Sequence, residues 1–141
     1  MIKKNPLFFA WLFPALVDAS VTLIGQDKAY WTNKVVNEAS PAYYALVISP
    51  WLFAVGSIVW FVGWYLIFKK LKEPYNLFLM FLFVIGHSWG SSSWFKKMLS
   101  LAGFYSIENQ INTMIGWGTI ILYFVLVSLW TTYCFRRYSV K

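Results

Sequence analysis

Tyr43–Phe68 is a run of 26 residues without one charged side chain. A stretch that long leaves few options. A helix needs about 20 apolar residues to cross the hydrocarbon core, at about 1.5 Å of rise each. Three further runs match it: Leu7–Gly25 with one acid, Tyr75–Phe95 with one histidine, and Ile111–Phe135 with no charge. Backbone facing lipid must satisfy its hydrogen bonds within its own segment, so these runs read as helices. A membrane barrel would show alternating segments of about 10 residues, and these runs do not alternate. The fold class expected is all-α. The chain should form a single transmembrane domain over 1–141, a bundle of four helices at about 7–25, 43–68, 75–95 and 111–135.

Composition closes the alternatives. Only 12% of the 141 residues are charged and 60% are hydrophobic, where a soluble domain carries about 25% charge. Disorder requires low hydrophobicity and is excluded. One cysteine, Cys134, cannot build an intrachain disulfide, and one cysteine with one histidine cannot supply four zinc ligands. The net charge of +7 does not point to nucleic acid, because the basic residues flank apolar runs, where topology and anionic lipid account for them.

The distribution of charge sets the expected orientation. Lys3, Lys4, Lys69, Lys70, Lys72, Arg136, Arg137 and Lys141 fall on one side of four spans, and Lys28, Lys34, Lys96 and Lys97 on the other. The positive-inside rule puts both termini and the 69–74 turn in the cytoplasm. Lys96 and Lys97 run against it. Lys3 and Lys4 ahead of Leu7–Val17 imitate a signal peptide, but no small-residue cleavage site follows, so the segment reads as a retained first span. The loop 26–42 carries the interfacial aromatics Tyr30 and Trp31. Residues 96–110 read as a short helix lying in the outer interface, with Gly103 as a break.

Asp18 stands well inside the first run. An Asp near a helix centre costs roughly 2.5–3.5 kcal/mol on insertion scales, so it should face the bundle interior. Thr22 is one turn on, on the same face. His87, the only histidine, falls at the same depth in a span running the same way. A carboxylate and an imidazole at one depth lower each other's cost by pairing. Asp18 and His87 are therefore the expected polar centre, with Thr22 and Ser91 as supporting hydroxyls and Glu38 as a contact over the outer end. The alternative is that these groups only pin helix packing.

Gly86-His87-Ser88-Trp89-Gly90 spells the G-x-S-x-G of a nucleophile elbow. That motif needs a strand, a sharp turn and a helix above a sheet. On one helix His87 and Ser88 diverge by about 100°, so no catalytic residue is assigned. Gly86 and Gly90 read instead as a G-x-x-x-G helix-packing pair. No metal site and no cofactor are expected. A tetrapyrrole through His87 would need Met80, Met98 or Met114 as second ligand, and nothing fixes that geometry. A retinal Schiff base lacks a lysine within any span.

Asp18-x-x-x-Thr22, Gly25 and Glu38-Ala39-Ser40-Pro41 resemble a family of small prokaryotic multi-pass membrane proteins with D-x-x-x-T in the first helix and E-A-N-P after the first loop. The overlap covers about residues 15–68, with Ser40 where the family has Asn and with a longer loop. The family has no assigned activity, so the resemblance implies a shared fold and location in a prokaryotic inner or plasma membrane. Three functions fit the sequence. The first is a non-enzymatic accessory or assembly subunit of a larger membrane complex. The second is a small-molecule or lipid binding or transport protein with its polar site at Asp18 and His87. The third is a membrane enzyme acting on lipid or quinone. Partners expected are membrane lipids, and other membrane subunits or copies of the same chain.

Overall fold

The computed structural model describes residues 2–105 and 109–140. After a 3-10 turn at Ile2–Lys4 come six α-helices: α1 Pro6–Ile24, α2 Lys28–Asn33, α3 Ala42–Ile48, α4 Pro50–Phe68, α5 Tyr75–Leu101 and α6 Gln110–Ser139. No strand occurs among the described residues. Three helices, α1, α4 and α6, are long and apolar enough to cross a membrane. The fourth long helix, α5, is made less apolar by His87, the four serines between 88 and 93, and the lysines at its end. Ser91, Ser92 and Ser93 return their hydroxyls to carbonyls of their own helix, which lowers the cost of keeping them away from water.

The expected second span, 43–68, is two helices. Pro50 has no N–H to donate and crowds the residue before it out of the α region. Ser49 is accordingly extended, at φ −168° and ψ 141°. Its Oγ then accepts the Trp51 N–H at 3.1 Å and caps α4, with Pro50 in the favoured first position. The third helix is also longer than its apolar run. Met98, Leu99 and Leu101 extend α5 rather than form a separate interfacial helix. The chain leaves α5 at Ala102 and turns at Gly103, whose φ of +82° suits a residue without Cβ. The rest of the expected interfacial segment, residues 106–108, lies outside the described residues. The 26–42 loop contains α2, which the sequence reading lacked.

Helix α1 is the hub. It packs against α4, α5 and α6, while α3 packs on α4 and α5 packs on α6. At the amino-terminal end of α1 the core is aromatic. Trp11 is fully buried, with the rings of Phe8, Phe61, Phe68 and Phe83 at 5.0–6.2 Å. Trp64 of α4 meets Phe83 of α5 edge-on at 4.7 Å, which joins those two helices at this end. Asn5 Nδ2 donates to the Tyr65 carbonyl at 3.1 Å, and Asn76 Nδ2 donates to the Tyr138 hydroxyl at 3.1 Å. Lys4, Lys69, Lys72 and Tyr138 surround one concavity, so the 3-10 turn, the end of α6 and the 69–73 turn share one end of the molecule.

The opposite end is held by a second small core. Tyr30 of α2 is fully buried against Leu46 of α3 and Phe53 of α4, and its hydroxyl donates to the Leu46 carbonyl at 3.1 Å. Burial raises the Tyr30 phenol above its ordinary pKa of 10.0. Lys97 ties α5 to the end of α1. Its Nζ lies 3.0 Å from Asp27 Oδ1, donates to the Gly25 carbonyl at 3.3 Å and covers the Trp94 ring at 4.8 Å. A cation at exposed helix-end carbonyls is well placed. The Lys97 ammonium holds the Asp27 carboxyl below its ordinary 3.8. This contact therefore persists above pH 3.8 and weakens as the pH falls below it. Gly25 itself lies flat on Trp94, since a Cβ there would stand 2.5 Å from the ring carbon Cε3.

Candidate functional site

Asp18 and His87 touch. His87 Nδ1 lies 2.9 Å from Asp18 Oδ2. With Asp18 as a carboxylate, which only accepts, Nδ1 is the donor of this bond. The pair is not sealed: the Asp18 and His87 side chains remain 21% and 26% exposed. They open onto a cleft of about 760 Å³, within the range of roughly 300–1,000 Å³ usual for small-molecule sites.

The walls of the cleft follow from helical spacing. Ala15, Asp18, Ala19 and Thr22 are one face of α1 and form the floor. Phe53, Gly56, Ser57, Trp60 and Phe61 are one face of α4. Leu82, Phe83, Gly86, His87, Gly90 and Trp94 are one face of α5. Where the two walls face each other across the gap, each carries a small residue. A Cβ added at Gly56 or Gly86 would find no atom within 4 Å. The aromatic contact of Trp64 with Phe83 closes the cleft toward the amino-terminal end of α1. Toward the other end, Glu38, Ser40, Pro41, Ala42 and Ala45 line its mouth. Trp60 and Leu82 on opposite rims are each 49% exposed, so the cleft also opens sideways between α4 and α5.

Each expected site residue has a definite place. Asp18, Thr22, His87 and Glu38 all line this one cleft. Thr22 is buried, and its carbonyl accepts from Gln26 Nε2 at 3.0 Å. Glu38 Oε1 accepts the Ser40 N–H at 2.8 Å, and Ser40 Oγ accepts the Ala42 N–H at 3.3 Å. One Glu38 oxygen thus fixes the turn into α3. Ser91 is not in the wall. It sits fully buried behind it, donating to the His87 carbonyl and meeting the Tyr123 hydroxyl of α6 at 2.7 Å. Since Ser91 spends its proton on the carbonyl, Tyr123 is the donor of that second bond. Tyr123 is the residue the sequence reading missed. It is one of nine tyrosines, and nothing in the run around it singles it out.

The two glycines expected to admit a neighbouring helix have different surroundings within the chain. Gly90 receives the Asp18 side chain, so that a Cβ there would stand 2.6 Å from Oδ1. Gly86 faces the cleft and approaches nothing. The indole of Trp11 stacks 16° from parallel on the His87 ring at 6.0 Å, and the Phe83 ring lies 6.2 Å from it.

Nothing among known proteins adds to this geometry. No family model, curated protein or solved structure matches the chain.

The chemistry of the site is that of an anchored hydrogen-bonding pair in an apolar wall. No group of three or more His, Cys, Asp or Glu that could hold a metal occurs among the described residues. Ser88 is buried in the middle of α5 and does not line the cleft, while its neighbour His87 does. Divergence on a helix keeps the two apart. Ser88→Ala should therefore leave fluorophosphonate labelling at background, and specific labelling of Ser88 in the unmodified protein would show that the motif is chemically competent.

Proposed function

We propose that this chain is a membrane-embedded binding or transport protein, and that a molecule drawn from the bilayer occupies the cleft between α1, α4 and α5 with its polar group on Asp18 and His87. The carrying observation is the convergence of the polar pair, an apolar cleft of ligand size and a lateral opening. Ligand pockets characteristically combine mostly apolar walls with a few placed polar groups. An ionisable residue inside a span marks a functional site by default. Four of the residues on which the family resemblance rests, Asp18, Thr22, Glu38 and Pro41, line the cleft, while Gly25 and Ala39 do not.

In the bilayer the arrangement is a bundle of four crossings, with α5 as the crossing that length and composition together do not select. Its 27 residues span roughly 40 Å, and it packs between α1 and α6. His87 and Ser93 line the cleft, and the Ser91 hydroxyl meets Tyr123 of α6. The 3-10 turn and the end of α6 lie at one end of the molecule, beside Lys4, Lys69 and Lys72, and we place that end in the cytoplasm of a prokaryotic cell membrane. A cysteine introduced as Leu71→Cys should resist impermeant maleimide in intact cells and react after permeabilisation. Labelling from outside would reverse the orientation.

Native mass spectrometry after mild extraction tests the binding reading. A small-molecule adduct should accompany the chain and disappear in Gly86→Phe, which fills the cleft from a position with open space in front of it. An adduct pattern unchanged by that substitution counts against the cleft. Stoichiometric foreign chains, retained with no small molecule, would favour the accessory-subunit reading.

A further inference from the structure

The side chains around the cleft have a bias in charge. Two carboxylates line it, Asp18 on the floor and Glu38 at the mouth, and no lysine or arginine does. This holds in a chain with 12 basic and 5 acidic residues, so the cleft inverts the sign of the whole protein. The Lys97 ammonium lies over the Trp94 ring, which lines the cleft, but is held by Asp27 and the Gly25 carbonyl. The rest of the lining is rich in aromatic rings: Trp60 and Phe61 from α4, Phe83 and Trp94 from α5. Aromatic faces attract cations electrostatically, more strongly when desolvated, and rings combined with carboxylates are the usual setting for quaternary ammonium groups. A carboxylate in a low-dielectric wall repels an anion and attracts a cation far more strongly than in water.

We propose that the ligand of this cleft is a hydrophobic cation, an amine, quaternary ammonium or phosphonium group on an apolar body. It enters sideways between Trp60 and Leu82 and sets its charge against Asp18 and the aromatic rings. This rests on the binding reading above and adds the class of ligand. An organic cation carries its own apolar surface and needs few hydrogen bonds, which suits walls whose Ser57 and Ser93 hydroxyls are already given to carbonyls of their own helices. His87 holds the Asp18 carboxylate by one oxygen, Oδ2, and the other, Oδ1, lies over Gly90 on the cleft-lining face of α5.

Three probes of similar body separate charge from shape: tetraphenylphosphonium, tetraphenylborate and neutral triphenylphosphine oxide. Binding to the purified full chain in nanodiscs is read by calorimetry and by quenching of tryptophan fluorescence, with empty nanodiscs subtracted. The phosphonium should bind at least about tenfold more tightly than either other probe. Asp18→Asn should weaken it about tenfold or more and leave the neutral probe within about twofold. Glu38→Gln, at the mouth, should weaken it a few fold and serves if Asp18→Asn fails to fold. Gly86→Phe should abolish binding of every probe. Equal binding of the three probes, all lost in Gly86→Phe, would overturn the cation preference while the cleft reading stands. Phosphonium binding indifferent to Gly86→Phe and to both carboxylate substitutions would place it elsewhere and overturn the inference. Absence of binding by any probe would overturn it as well, and a native adduct still lost in Gly86→Phe would then keep the cleft as a site for some other class.

Discussion

Asp18→Leu should be among the most damaging single substitutions in this protein, lowering its stability by about 2–3 kcal/mol in detergent unfolding. The effect comes from the partner left behind. His87 Nδ1 has its hydrogen bond to Asp18 Oδ2, and the stacked Trp11 indole offers no acceptor in exchange. Breaking a buried pair costs about 3–5 kcal/mol when the survivor is sealed in. Here both side chains keep partial exposure to the cleft, so the lower figure applies. Two companions sharpen the test. Asp18→Asn retains an acceptor and should cost about 1 kcal/mol. The double replacement Asp18→Leu with His87→Leu should be milder than Asp18→Leu alone, because no unpaired donor remains. A double variant as unstable as the sum of the two singles would mean that the side chains act independently and that their contact carries no energy.

The pair was legible in the sequence because depth can be counted. Twelve residues into one span and thirteen into a parallel one place two side chains at one level, and the cost of leaving either in lipid turns them toward each other. The contact of Ser91 with Tyr123 could not be counted in the same way. A tyrosine in an uncharged run has an apolar body and a polar tip, and the run does not say which helix receives the tip. The break at Ser49 and Pro50 went unread, because the absence of charge across 43–68 pointed to one span. A residue before proline is pushed out of the helical region, and Ser49 supplies the cap that makes the break inexpensive. The cleft is another matter. It exists because α4 and α5 meet through Trp64 and Phe83 at one end and present Gly56 and Gly86 farther along. Periodicity identifies faces, but the separation of two faces depends on rings elsewhere that hold the helices apart.

The same limit governs the two glycines of α5, and it gives opposite outcomes for the same substitution. Gly90→Ala should destabilise the protein by about 1–3 kcal/mol, the usual range for a methyl forced into a filled space. Its Cβ would stand 2.6 Å from Asp18 Oδ1 and 3.1 Å from Cγ. The carboxylate is the end of a short side chain, and the room it would need lies toward His87, whose ring is backed by Trp11. The added methyl should therefore pull Asp18 off His87 as well as strain α1 against α5. Gly86→Ala, one turn earlier on the same helix, meets open space. It should be neutral or stabilising by up to about 1 kcal/mol, through the helix propensity gained and the unfolded-state freedom lost. Thermal unfolding of the two variants side by side measures the difference. If G-x-x-x-G were a packing face at both positions, as the spacing alone suggests, both alanines would destabilise. If neither did, Asp18 would not be seated on Gly90, and the orientation of the pair described above would be wrong.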